Sequence, residues 1–424
     1  MLLEHRASPT DFTRSRTLTI EHTVGLVMSM VLARNANGYD ISSQNYFRDL
    51  SVEMKEQIIP VRHQSVSEAR AKLRWQAFEA LLDEANLERT GLSKEFKFKG
   101  HIVRAIDGTS FYTPRTEDLL AHFSVRSTRA GETHYPYGLC VAAVNIFTGQ
   151  PVAAIVGDYK SSERELLREL LPRFAPGDLS LLDRGLGGTE IYFEYDEQGQ
   201  FFLHRTKTTG DRVASYIQKF LASGKKQKKI RLALKDKSSG KERSMKIRLI
   251  LGPIDSEGKP IVFVTNLVDK DRYPRADIIE LYQKRWTCET LYGRVKNLLN
   301  LEKFHAQSYN GVMQEIFANL LCLSLAAAAV AAVVVEDKMD PEVEQPSFKN
   351  AAEVVRRNLF SIIDRKIRNQ KPNEIIRKIL NEVRAVKYKV RPGRSHPRVS
   401  MQPIKSWNLK KSAKLRAFEE RKSA

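Results

Sequence analysis

Ile316 to Val335 is a run of 20 residues in which only Asn319 and Ser324 are polar. A helix of that length can cross the ~30 Å hydrocarbon core of a bilayer. The same pattern describes a helix buried on all sides in a large domain. Ala326–Ala329 and Ala331–Ala332 fill much of the run. Alanine favours helix strongly and adds little lipophilicity. No other stretch of the 424 residues matches it in length and apolarity. The segment is read as a buried central helix, with a membrane span as the alternative.

Composition agrees with a large core. Hydrophobic residues make up 42% and charged residues 28%, which excludes whole-chain disorder. The length suggests two or three domains of ~150 residues. Cys140, Cys288 and Cys322 are too few and too scattered for a disulfide framework or a four-thiolate zinc site. Met1–Arg6 lacks the apolar stretch of a signal peptide. Both features predict a reducing, cytoplasmic setting.

The net charge of +20 is concentrated. Lys225–Arg248 holds 11 basic and 2 acidic residues, and Arg384–Ala424 holds 13 basic and 2 acidic. These two segments account for the whole excess, and the remaining body is neutral. A balanced body with two basic patches predicts a polyanionic partner, nucleic acid foremost. A solvated surface is the plainer alternative.

Residues 1–95 read as helical, with apolar-rich Leu18–Arg34 and a helix over Ser67–Leu87 started by a serine cap. They could form a DNA-binding module or a helical cap on the next domain. From 96 to 200 the pattern is strand, strand, strand, helix, strand, helix. His101–Ile106 is a strand ending at Asp107. Tyr137–Phe147 and Pro151–Val156 form a hairpin, Ser161–Phe174 is a helix, Leu179–Leu182 is a strand ending at Asp183, and Thr189–Tyr195 is a short helix. Residues 201–268 alternate apolar and polar and read as a β-rich insert carrying the first basic patch. Residues 269–335 return to helix, with Pro274 ahead of the first turn. Residues 336–424 comprise an acidic loop, helices over 350–390 and a basic, proline-punctuated tail. No internal repeat is evident, and no Gly-Lys-Ser/Thr phosphate loop points to ATP. His134 and His305 lack a second ligand at zinc spacing.

Two acids, Asp107 and Asp183, each follow an apolar strand and precede a glycine-containing turn. Strand ends are where open α/β sheets bind ligands, although Asp at a turn is also ordinary. Tyr282, Arg285, Glu289 and Lys296 share an arc of about 60° on one helix, at ~100° per residue. An amphipathic helix with a mixed polar stripe and an Arg285–Glu289 i,i+4 pair fits the same spacing. Cys288 adjoins Glu289 but points ~100° away.

The chemistry suggests a use for three carboxylates. Phosphodiester cleavage needs charge stabilisation on both the attacking and leaving oxygens, which two Mg²⁺ ions supply. Each ion needs only one or two carboxylates. Arg285 and Lys296 could bind DNA phosphate beside the ions, and Tyr282 could donate to a phosphate or pack on a sugar.

The segment Tyr282-x2-Arg285-x3-Glu289-x6-Lys296 resembles the signature of bacterial insertion-sequence DDE transposases of the insertion-sequence-four family. Ile106-Asp107-Gly108-Thr109 and Leu182-Asp183-Arg184-Gly185 resemble that family's first and second acidic motifs. The Arg391-to-Arg398 tail is also similar, and the likeness spans roughly residues 10–410.

The resemblance implies an α/β fold: a ribonuclease-H-like mixed-sheet catalytic core over 96–200 and 269–335. A β-rich insert interrupts it, with a helical N-terminal DNA-binding region before it and a helical, basic C-terminal region after it. It implies Asp107, Asp183 and Glu289 as catalytic acids holding two Mg²⁺ ions, with Mn²⁺ able to substitute. It implies DNA contacts by Tyr282, Arg285, Lys296 and Arg184. It also implies a homodimer on paired terminal inverted repeats that cuts the element free and inserts it into target DNA. A catalytically inactive DNA-binding regulator and a related nuclease of the same fold are the alternatives. Some members of the family pass through a DNA hairpin, with an insert tryptophan holding a flipped base. Here the tryptophans are Trp75, Trp286 and Trp407, none of them in the insert. Phe201, Phe202, Tyr216 and Phe263 are the aromatic substitutes available there, and Trp286 is read as core packing.

Overall fold

The structure is a computed structural model and describes residues 1–14, 16–33, 38–86, 96–128, 131–210, 213–235, 242–255, 257–285, 304–363 and 371–390. Four helices come first: α1 (Ile20–Leu32), α2 (Tyr39–Met54), α3 (His63–Lys72) and α4 (Gln76–Glu84). Thr19 caps α1, its hydroxyl accepting from His22 N. The helix expected over Ser67–Leu87 is divided. Leu73 is extended and bridges to Arg6, and Arg74 N donates to His5 O. The N-terminal segment thus takes the hydrogen bonds that a continuous helix would have kept, and Ser67 lies inside α3.

The central sheet has nine strands among the described residues. They are β1 (Val103–Tyr112), β2 (Ser124–Thr128), β3 (Gly131–Asn145), β4 (Pro151–Asp158), β5 (Leu179–Leu182), β6 (Phe201–Thr206), β7 (Gln227–Lys235), β8 (Glu242–Ile254) and β9 (Pro260–Thr265). The antiparallel meander β1, β3, β4 comes first, and β5 then β6 add in parallel beside β1. The order β4-β3-β1-β5-β6, with those directions, is the ribonuclease-H-like arrangement. β9, β8 and β7 continue the same sheet antiparallel from β6. The expected β-rich stretch after residue 200 is therefore no separate sheet: β6 is the fifth core strand, and β7–β9 widen it.

Helices α5 (Glu117–His122), α6 (Glu163–Leu170), α7 (Thr189–Glu197), α8 (Ser215–Ala222) and α9 (Arg275–Gln283) connect or flank the strands. Ser162 and Glu165 form a capping box at the start of α6. Leu166, Leu167 and Leu170 of α6 pack with Ile106, Leu182 and the aromatics of α7 on one sheet face. Ile278, Leu281 and Tyr282 of α9 pack with Val103, Ala105 and Leu181 on the other.

The apolar run lies within α10 (Tyr309–Glu336), a 28-residue helix capped by Ser308. Two thirds of its most apolar window is buried within the protein. It packs in one cluster with α1, α4, α11 (Phe348–Arg357) and α13 (Pro372–Arg384). The buried-helix reading holds. One of the run's two polar residues is matched to a partner: Gln150 Nε2 donates to Ser324 Oγ at 2.9 Å. The short helix α12 (Leu359–Ile363) and a two-stranded sheet, β10 (Glu344–Pro346) with β11 (Lys387–Lys389), complete the described C-terminal region.

A buried ion pair joins the two ends of the chain here. Arg70 of α3 donates to Glu315 Oε1 at 2.9 Å, to Gln314 Oε1 at 3.0 Å and to Gly311 O at 2.8 Å. Glu315 also accepts from the backbone N–H groups of His305 and Ala306. Burial alone would raise the Glu315 carboxyl, but the Arg70 charge and the His305 contacts hold it below its usual range. Removing one partner leaves the other charge uncompensated, at a cost of about 3–5 kcal/mol. We expect Arg70→Met to lower unfolding free energy by about that amount, read as a fall in urea midpoint at unchanged slope. A loss below about 1 kcal/mol would show that the pair does not anchor α3 to α10.

Candidate active site

Asp107 does not end its strand as expected. β1 runs five residues further because β3 pairs with it throughout, with Asp107 opposite Ala142. It is the parallel partner that stops. β1 and β5 pair from Val103–Leu179 to Ile106–Leu182, and the chain then turns at Asp183. Asp107 and Asp183 are thus the next residues on two strands ~4.8 Å apart. Strand alternation places position 107 on the face covered by α9. The Asp107 carboxylate accepts from Gly108 N at 3.0 Å.

α9 brings two signature residues to the back of Asp183. Tyr282 is buried, its ring packed on Phe263, and its hydroxyl donates to Leu182 O at 3.1 Å. Burial pushes its phenol well up. Arg285 is also buried, with Nη2 at 3.8 Å from Asp183 Oδ1 and its guanidinium over the Tyr282 ring. In this arrangement both side chains point toward the sheet, and Tyr282 spends its hydroxyl on the backbone that precedes Asp183. Arg184 is exposed at the turn. Glu289, Lys296, Trp286, Cys288 and the basic tail from Arg391 lie outside the described residues.

Other residues support the Asp183 turn. Arg164 Nε donates to Gly185 O at 2.8 Å. His204 of β6 is fully buried beneath it, 2.6 Å from the Tyr192 hydroxyl. Burial lowers the His204 imidazole to about 4, so it is neutral near pH 7. A Cβ on Gly187 would overlap the His204 ring, which explains glycine there.

Glu163, the first residue of α6, escaped the sequence reading. Its carboxylate lies against Gly108, where a Cβ would overlap it, and 3.7 Å from the place of a Cβ on Gly185. Burial first, then the charges of Asp107 and Asp183, raise its carboxyl above the usual range. The helix cap two residues along, Ser162 with Glu165, was the visible signal; nothing in the spacing linked Glu163 to the aspartates.

The donor set suits a hard cation. Carboxylate oxygens dominate the edge of the sheet, the ligand type that Mg²⁺ and Mn²⁺ prefer. Among the described residues no three side chains close around an ion. Asp107 and Asp183 supply two groups, and the C-terminal end of α9 leads toward Glu289.

The aromatic substitutes for a base platform are committed elsewhere. Phe202 and Phe263 are buried, and Phe201 packs on His101 at 4.8 Å. The Tyr216 phenol is raised by burial and hydrogen-bonded to Tyr192. Trp75 stacks on Phe317 in the helical core. The first basic patch lies along β7 and β8, where Lys228, Lys229, Arg231 and Lys235 are exposed. Arg248 is the exception: it is fully buried and donates to Tyr273 O.

A ribonuclease-H-like sheet with paired aspartates on its two central strands defines a class, the polynucleotidyl-transferring enzymes of phosphodiester chemistry. The model of the family "Transposase DDE domain" matches residues 98–325. The chain belongs to this family of DNA transposases, which act with divalent metal ions. It is 24% identical over 396 residues to transposase InsG of insertion sequence element IS4 from Escherichia coli (strain K12), across 91% of this chain and 86% of that one. Among solved structures it is similar to the piggyBac transposase synaptic complex with hairpin DNA. That match has a TM-score of 0.43 and 9% identity, over 94% of this chain and 84% of that one.

The Tyr282 hydroxyl positions the backbone before Asp183. Tyr282→Phe is expected to slow end cleavage several-fold while leaving end affinity within about twofold, since a neutral hydrogen bond is worth ~1 kcal/mol. A fall in affinity at unchanged cleavage of bound DNA would instead assign the hydroxyl to DNA.

Proposed function

We propose that the protein excises an insertion sequence by cutting at its terminal inverted repeats and joins the freed ends to target DNA. The adjacent placement of Asp107 and Asp183, where the parallel ladder ends, supports this reading most directly. Asp107, Asp183 and Glu289 would hold two Mg²⁺ ions, with Mn²⁺ as substitute. The ions would supply charge stabilisation for the attacking and leaving oxygens. In the first reaction water attacks the phosphodiester at the element end, forming a new P–O bond and releasing a 3′-OH. In the second, that 3′-OH attacks a target phosphodiester, and its strand is joined as the target's own 3′ oxygen leaves.

Arg285, held behind Asp183, would fix that carboxylate as much as contact DNA. Lys296, Arg184 and the exposed lysines of β7 would bind phosphates. The active form would be a homodimer that pairs two ends. The protein would work in the bacterial cytoplasm, α10 being a core helix and no anchor. Residues 1–95 would be the helical DNA-binding region, the strands after β6 an insert in the core, and 336–424 a helical region ending in a basic tail that aids DNA binding or end pairing.

Asp107→Ala, Asp183→Ala and Glu289→Ala are each expected to abolish cleavage and joining of flanking-repeat DNA in Mg²⁺ while retaining end binding. Cutting without joining by the unaltered protein would make it a nuclease. Binding without cutting would make it a regulator.

Lys296→Ala should flatten the dependence of log affinity on log salt by ~0.9, the slope of one lost phosphate contact. An unchanged slope, measured between 50 and 200 mM salt, would remove Lys296 from the DNA surface.

A further inference from the structure

We infer that Glu163 is a further acid of the cation site, a carboxylate set beside Asp107 and Asp183. This deepens the functional reading above and rests on its metal assignment.

Three observations converge on it. A Cβ at position 108 would overlap the Glu163 carboxylate, so the carboxylate can lie there only beside a glycine. The glycine after the first aspartate is thus the opening through which a helix residue reaches the catalytic edge. Gly185, two residues beyond the second aspartate, borders the same carboxylate on its other side. Asp107 and Asp183 lie close enough for their charges to act on Glu163. A half-buried carboxylate beside two others is costly, and a bound cation would relieve that cost.

The start of α6 holds the group in place. The Ser162–Glu165 capping box fixes the first turn, and Arg164 ties that turn to Gly185 O. Glu163 therefore moves with the Asp183 turn and not independently of it. Mg²⁺ keeps several of its waters. A carboxylate set back from the first ligands contributes by accepting from those waters, as outer groups do at other metal sites. Placement for the helix dipole alone would not bring the carboxylate against Gly108.

The test is Mn²⁺ binding by the full-length protein without DNA, followed by electron paramagnetic resonance and calorimetry. Glu163→Gln keeps the shape and removes the charge. It should weaken Mn²⁺ binding about tenfold, within the range for outer-shell partners. Gly108→Ala, which crowds the carboxylate away, should do the same, and it stands in if Glu163→Gln fails to fold. Asp183→Asn serves as the control. Mn²⁺ binding at the unaltered affinity by folded Glu163→Gln and Gly108→Ala, with Asp183→Asn weakened, would overturn this inference and leave the functional reading intact. Equal affinity in all three would overturn the metal assignment itself, and this inference with it.

Discussion

The register between β1 and β5 sets where Asp107 and Asp183 fall. Ile106 lies opposite Leu182, and the residue after each is an aspartate. Because side chains alternate, a slip of one residue would send one carboxylate to the far face of the sheet. Two hydrophobic layers hold the register. Ile106 and Leu182 are locked under α6 and α7, and Ala105 and Leu181 under α9. The site is consequently as well positioned as the two cores beneath and above it.

The same register explains the division of labour in the signature helix. α9 must bury Ile278, Leu281 and Tyr282 to hold its face of the sheet. Tyr282 and Arg285 then reach the backbone and side chain around Asp183 from behind. Both contacts fall on or directly before one acid, Asp183. Behind the turn, His204 and Tyr192 add a second brace in a dry pocket, with the imidazole kept neutral by burial.

Much of this was legible in the chain. The end of β5 at Leu182, the hairpin around Thr148-Gly149-Gln150 and the serine cap of α6 follow local rules, and local rules survive in the fold. Two aspartates after apolar strands could be read as neighbours for the same reason. The helical arc of Tyr282 and Arg285 showed which residues share a face but not whether that face meets water or the sheet. That depends on tertiary packing. The break at Leu73 depends on a partner about 67 positions earlier, Arg6, which no helical periodicity reports. Glu163 was hidden likewise: its meaning comes from two glycines that lie 55 residues before and 22 after it. The stretch after residue 200 read as an insert because its alternation changes, yet hydrogen bonding makes β6 through β9 one continuous sheet.

The central helix α10 carries a consequence for how the chain is made. α1 and α4 emerge from the ribosome more than 200 residues ahead of the helix that covers their apolar faces. Arg70 likewise waits for Glu315. Until α10 arrives, the N-terminal helices have no complete core of their own. A nascent or truncated chain that stops before Tyr309 would therefore expose greasy surface and an unpaired buried cation. Only a chain that has reached α10 can bury that surface.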